Sequence, residues 1–211
     1  MSAEPVTEAA LADRLAALPR GRRHLVAIAG APGSGKSTLA ETLVAGLAAA
    51  GRPAAILPMD GFHLDDRVLE PRGLRPRKGA PETFDAAGLA HLLGRLKRND
   101  EAEIAVPVFD REIEIARAGA RMIPQAVEIV VVEGNYLLLE RAPWDALAPL
   151  FDLSVRLDVP EPVLRDRLAE RWRGFGLAAP AIRAKLEEND LPNGRLVLSA
   201  SRMPDLVVAQ G

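Results

Sequence analysis

Short unbroken apolar runs alternate along the chain with longer amphipathic stretches. Leu25-Val26-Ala27-Ile28-Ala29, Ala54 to Leu57, Ile104 to Phe109, Val127 to Val132, Leu153 to Val159 and Leu206 to Val208 read as strands. Most of these runs have the continuous apolar character of strands covered on both faces. Between them, Ala9 to Leu18, Ser37 to Ala50, Asp85 to Arg98, Pro162 to Arg173 and Ala181 to Glu188 carry helical spacing, with Leu89, Leu92, Leu93 and Leu96 on one face of the third. Pro19-Arg20-Gly21 stops the first helix, Gly51 closes the second, and Pro160 marks the start of the fourth. Asp60 to Pro81 reads as a long loop, Ile113 to Met122 as a hairpin with Ala118-Gly119 at its tip, and Leu206 to Val208 as an edge strand. Strands alternating with helices predict an α/β fold, a parallel sheet between two helical layers, with residues 1–211 as one domain.

Composition narrows the class. The 211 residues are 48% hydrophobic and 27% charged, ordinary values for a globular protein. A net charge of −2 lacks the basic surplus of a dedicated nucleic-acid binder. With no cysteine, disulfides, cysteine-ligated zinc and a cysteine nucleophile are excluded. No apolar run approaches the ~20 residues that span a bilayer, and Met1 to Leu18 lacks the basic start of a signal peptide. The expectation is a cytoplasmic monomer or homodimer acting on a small molecule, with no nucleic-acid or membrane partner.

The sharpest motif follows the first apolar run. Gly30-Ala31-Pro32-Gly33-Ser34-Gly35-Lys36-Ser37 fits G-x-x-x-x-G-K-[ST] at every fixed position, with Thr38 next in the helix it opens. Glycines let the loop turn its N–H groups inward around an anion, and the helix start adds its positive end. Lys36 supplies charge for the β- and γ-phosphates, and the Ser37 hydroxyl is a Mg²⁺ ligand. No Asn-Lys pair exists to read guanine, and no Ser-Gly-Gly signature of a transporter ATPase occurs. A P-loop NTPase that uses ATP and Mg²⁺ is the reading. Asp60 follows the second strand, where α/β folds bind ligands, and is the candidate base for an acceptor hydroxyl. Glu133, ending the most apolar strand, is the second candidate metal ligand beside Ser37. His63, Arg77, Lys78, Asn135 and Tyr136 are candidate acceptor-binding residues. His24 and His91 lie elsewhere in the chain, which leaves His63 without histidine partners for zinc.

Asp60-Gly61-Phe62, Val68-Leu69, Arg72-Gly73-Leu74 and Arg77-Lys78-Gly79-Ala80-Pro81-Glu82-Thr83-Phe84-Asp85 resemble bacterial pantothenate kinase. Pro107-Val108-Phe109-Asp110 and Glu133-Gly134 also resemble uridine kinase and phosphoribulokinase. The resemblance implies a nucleoside-monophosphate-kinase-like fold with a small lid, and Asp60 as base. Arg171 and Arg173, beside Gly174 and Gly176, become candidate catalytic lid arginines, with the lid over roughly 171–190. Phe109-Asp110-Arg111, with Glu188 to Asn193, resembles bacterial proteins labelled fructose-transport-system kinases; it adds Asp110 and Arg111 to the acceptor residues and favours a sugar or polyol. Pantothenate or a uridine-type nucleoside is the alternative acceptor, and a non-catalytic nucleotide-binding regulator is the alternative of another class.

Overall fold

The computed structural model describes residues 3–209. Eight strands are found among them: β1 (Glu4–Pro5), β2 (His24–Gly30), β3 (Ala54–Pro58), β4 (Glu103–Asp110), β5 (Ile115–Pro124), β6 (Ile129–Gly134), β7 (Leu153–Asp158) and β8 (Leu206–Ala209). Six of them form a sheet in the order β1-β8-β7-β2-β6-β3, every neighbour parallel. The helices are α1 (Glu8–Ala16), α2 (Lys36–Ala49), α3 (Asp66–Leu69), α4 (Ala86–Arg98), α5 (Glu161–Gly174), α6 (Ala179–Lys185) and α7 (Leu191–Ala200).

The alternation of side chains along a strand divides the apolar residues between two cores. Leu25, Ala27 and Ala29 of β2, with Val130 and Val132 of β6, face α4, Trp144 and Val197. Val26 and Ile28, with Ile129 and Val131, face Leu11 and Leu15 of α1 and Leu39, Leu43 and Leu47 of α2. The result is a three-layer α/β/α architecture. A third, smaller core joins α5, α6 and α7 through Leu164, Leu168, Ile182, Leu186 and Leu191.

Four features depart from the sequence reading. Ile113 to Met122 is not a hairpin by itself: β5 pairs antiparallel with β4, and the connection runs over 111–114, where Glu114 takes φ +57°. Gly119, φ +62°, lies instead where the register slips between Val106 and Val108. A left-handed glycine serves a bulge as well as a turn, and Pro107, lacking an N–H, sits in the slipped stretch. The long loop after Asp60 is mostly short helical turns, Met59–Phe62, α3, Glu70–Arg72, Arg75–Arg77 and Pro81–Thr83. Finally, α6 runs on through a π-helical stretch, Leu186–Asp190, into α7, and β8 is not the edge because β1 pairs outside it.

Two missing Cβ atoms hold the strand ends together. A Cβ on Gly134 would lie 2.7 Å from Met59 Sδ and nearer still to Met59 Cβ. One on Gly61 would lie 2.5 Å from Pro107 O, where β4 packs on the Met59–Phe62 turn. Neither contact has a flexible tip that can move aside. Gly134→Ala is therefore expected to cost about 1–3 kcal/mol through overpacking, read as a lower urea midpoint; an unchanged midpoint would show that Met59 is free to shift.

Candidate active site

The parallel register brings three segments to one edge of the sheet. Pro58 of β3 pairs with Glu133 of β6, and Ala29 of β2 pairs with Gly134. The loop after β2, the turn after β3 and the end of β6 therefore meet at the carboxyl ends of the strands, where such sheets bind ligands. They wall a cavity of about 420 Å³.

The loop from Gly30 to Gly35 wraps the start of α2. Gly33 and Gly35 adopt φ of +78° and +90°, and a Cβ on Gly30 would lie 2.7 Å from Ser34 Oγ, so the loop closes tightly because its glycines are bare. Pro32, Gly33, Gly35, Lys36, Ser37 and Thr38 line the cavity; Ala31 and Ser34 are buried. Lys36 Nζ donates to Ala31 O at 2.9 Å and lies 3.5 Å from Ser34 Oγ. Burial pushes its ammonium pKa down, against the opposing pull of Glu133 and Asp60.

Ser37 Oγ donates to Glu133 Oε1 at 3.2 Å. Glu133 is buried, and burial, then the charge of Asp60, pushes its carboxyl up, while Lys36 and the Ser37 hydroxyl pull it down. Two hard oxygen donors side by side, one a carboxylate short of compensating charge, suit a divalent cation that also takes oxygens from phosphate and water.

Across the cavity, Asp60 Oδ2 accepts from Arg111 Nη2 at 2.8 Å. His63 Nδ1 donates to the Asp60 carbonyl at 2.8 Å, and its ring sits between Phe84 and Phe109, with centroids at 4.1 and 4.5 Å. Lys78 Nζ reaches Asp66 Oδ1 (2.6 Å) and Glu114 O (2.7 Å) and lies over the Phe109 ring. Asn135 and Arg171 complete the sequence-predicted residues in this cavity.

Four predicted residues are placed elsewhere. Tyr136 is fully buried, and its hydroxyl donates to Gly79 O at 2.6 Å, which shapes the loop from behind. Arg77 turns to Glu188 O, Asp110 pairs with Arg117, and Arg173 pairs with Glu170 on the exposed side of α5. In exchange, Asn189, Asp190 and Asn193 line the cavity from the α6–α7 side. Asn189 Nδ2 donates to Lys78 O at 3.0 Å, and Asp190 accepts from Trp172 Nε1 at 2.7 Å. The only hint of them in the chain is the dense Glu188 to Asn193 polar stretch, and a π-helical turn, which often marks functional positions, turns it inward. Arg167 of α5 also lines the cavity.

The chain and its fold are similar to known proteins. The crystal structure of a "putative fructose transport system kinase" from Silicibacter sp. TM1040 is similar with TM-score 0.89 and 47% identity, covering 96% of this chain and 98% of that one. A "putative uridine kinase" of Schizosaccharomyces pombe is 34% identical over 92% of this chain and 86% of its own length. The pantothenate kinase of Rhodopseudomonas palustris (strain HaA2) is 32% identical over 75% of this chain, which spans about half, 52%, of that enzyme. The chain belongs to the P-loop kinases of the phosphoribulokinase, uridine kinase and pantothenate kinase group. A family model for the methylmalonyl-CoA mutase-associated GTPase MeaB also matches residues 3–62 of this kinase, the stretch holding the phosphate loop and Asp60. Among the described residues, no helix of the kinase is long and apolar enough to cross a membrane.

Burial between the rings pushes the His63 imidazole below its ordinary 6.5, with Asp60 opposing the shift. A depressed pKa means the unfolded chain takes up this proton first as pH falls, so stability present above 6.5 is lost on the acid side. The urea midpoint of the wild type should therefore drop further between about pH 7.5 and about pH 5.5 than that of His63→Gln. Equal drops would mean that the buried ring does not stay neutral.

Proposed function

We propose that this kinase transfers the γ-phosphoryl group of ATP, with Mg²⁺, to a hydroxyl of a small metabolite, and that the acceptor is a sugar of fructose type or a polyol. The observation that carries the proposal is the meeting of Lys36, Glu133 and Asp60, each delivered by a different strand end, on one cavity.

The roles follow from position. The backbone from Gly30 to Ser37 and the Lys36 ammonium hold the phosphates, and Thr38 extends the cradle along the first turn of α2. Ser37 and Glu133 would hold Mg²⁺, which when bound neutralises charge on the β- and γ-phosphate oxygens. Asp60 orients the acceptor hydroxyl and accepts its proton as the phosphoryl group leaves ATP. Arg171 faces the same space from the end of α5, and the segment from about 171 to 190 acts as a lid that brings it over the transferring group and excludes water. Arg173 points the other way and is left to the helix surface.

Support for a polyhydroxylated acceptor comes from the wall itself. Asp60, Arg111, Asn135, Asn189 and Lys78 offer donors and acceptors on several sides, and His63 presents a ring edge between them. The 47% identical structure carries a fructose-related name. The names of the uridine and pantothenate kinases favour a second reading, a nucleoside or pantothenate acceptor at the same site.

A coupled ADP-release screen over sugars, polyols, nucleosides and pantothenate separates these readings, with the largest acceptor-dependent rate expected for a sugar or polyol. Asp60→Asn should lower transfer by roughly 10²–10⁴-fold while ATP affinity stays unchanged; full activity in that variant would remove Asp60 as base. Lys36→Ala should weaken ATP binding by calorimetry, and unchanged affinity would count against the phosphate cradle.

A further inference from the structure

The carboxylate of Asp60 is held on one side only. Oδ2 takes the hydrogen bond from Arg111, Oδ1 takes none of the hydrogen bonds found among the described residues, and Asp60 lines the cavity. The backbone behind it is pinned as well, because His63 Nδ1–H donates to the Asp60 carbonyl. A carboxylate tied through one oxygen and open at the other is arranged to receive a hydroxyl from a single direction.

The arm that holds it is itself fixed. Arg111 directly follows β4, and the β4–β5 hairpin is tied to β3, to the turn after it and to the loop beyond that turn. Pro107 O packs against the bare Gly61, Arg121 Nη1 donates to Ile56 O at 2.8 Å, and Lys78 Nζ donates to Glu114 O in the connection itself. Arg111 is thus delivered to Asp60 from the end of a hairpin held on several sides. Its side chain also lies between the main cavity and a second one of about 170 Å³ that runs under the hairpin past Ile56, Val108 and Arg121.

We infer that Arg111 is a positioning residue for the phosphoryl transfer: through Oδ2 it fixes the Asp60 carboxylate so that Oδ1 meets the acceptor hydroxyl in line with the γ-phosphate. This rests on the reading of Asp60 as the base. Exposed ion pairs add little stability, and both partners here are partly exposed, 48% for Arg111 and 27% for Asp60. The pair therefore matters for the orientation of a reacting group more than for holding the fold. A misplacement of about 1 Å at such a group costs about 10²-fold in rate.

Arg111→Met keeps much of the side chain's bulk without its charge, and Arg111→Lys keeps the charge and a donor. Both are compared with the wild type and Asp60→Asn by steady-state ADP release, using the best acceptor of the screen and, separately, water as the only acceptor. Arg111→Met is expected to lose about 10- to 100-fold in kcat with the KM for ATP within about twofold, and Arg111→Lys to recover most of the loss. A kcat for Arg111→Met close to the wild type would overturn the inference. So would an equal loss in the Met and Lys variants, which would point to packing, and so would a fall in ATP affinity that accounts for the change. If Asp60→Asn turns over normally, the reading of Asp60 as base fails and the inference goes with it. If Asp60→Asn is inactive and Arg111→Met is not impaired, only the role of Arg111 fails.

Discussion

Everything at this site depends on the parallel pairing of β6 with β2 on one side and β3 on the other. Parallel strands end on the same side, so the residues that follow them are neighbours whatever their distance along the chain. Lys36, Asp60 and Glu133 meet for that reason. The fit is tightened by residues that lack side chains: Gly134 lets the turn after β3 lie against β6, and Gly61 lets the hairpin lie against that turn. A methyl group at either point would force those segments to shift.

The pairing also places an ammonium and a carboxylate where little water reaches them. Burial pushes Lys36 down and Glu133 up, and each is the other's main charged relief. A buried pair of this kind is weak evidence for stability, since removing two ions from water costs several kcal/mol apiece. Perturbed groups gathered in a cleft are better read as a site kept ready for charged ligands. Ser37, joined to Glu133, places a third polar group in the same spot.

Much of this was legible in the chain. Apolar runs located the strands and the sheet class, and chemistry placed at a strand end or shortly beyond it, as at Glu133, Asp60 and Lys36, is located with it. What was not legible depends on direction and on distant contacts. Arg171 and Arg173 look alike in sequence, yet two helical steps turn them roughly 200° apart, and only Arg171 faces the cavity. Asp110 and Arg111 are adjacent, yet Asp110 ends β4 and pairs with Arg117 while Arg111, in the turn beyond it, reaches Asp60. Gly119 read as a turn because a left-handed glycine is common to turns and bulges. Asn189 and Asp190 had no periodicity to reveal them, because a π turn has none that sequence spacing records.

The bonds from the loop after Asp60 to the far end of the chain carry a further meaning. Lys78 O is held by Asn189, and Arg77 grips Glu188 O, each across 111 positions. That wall of the cavity is therefore built jointly by two distant stretches, joined by these hydrogen bonds. On the proposed reading of the site, substitutions near residue 189 would reshape the acceptor side of the cavity while the phosphate loop stays untouched, so that donor chemistry and acceptor choice could change independently.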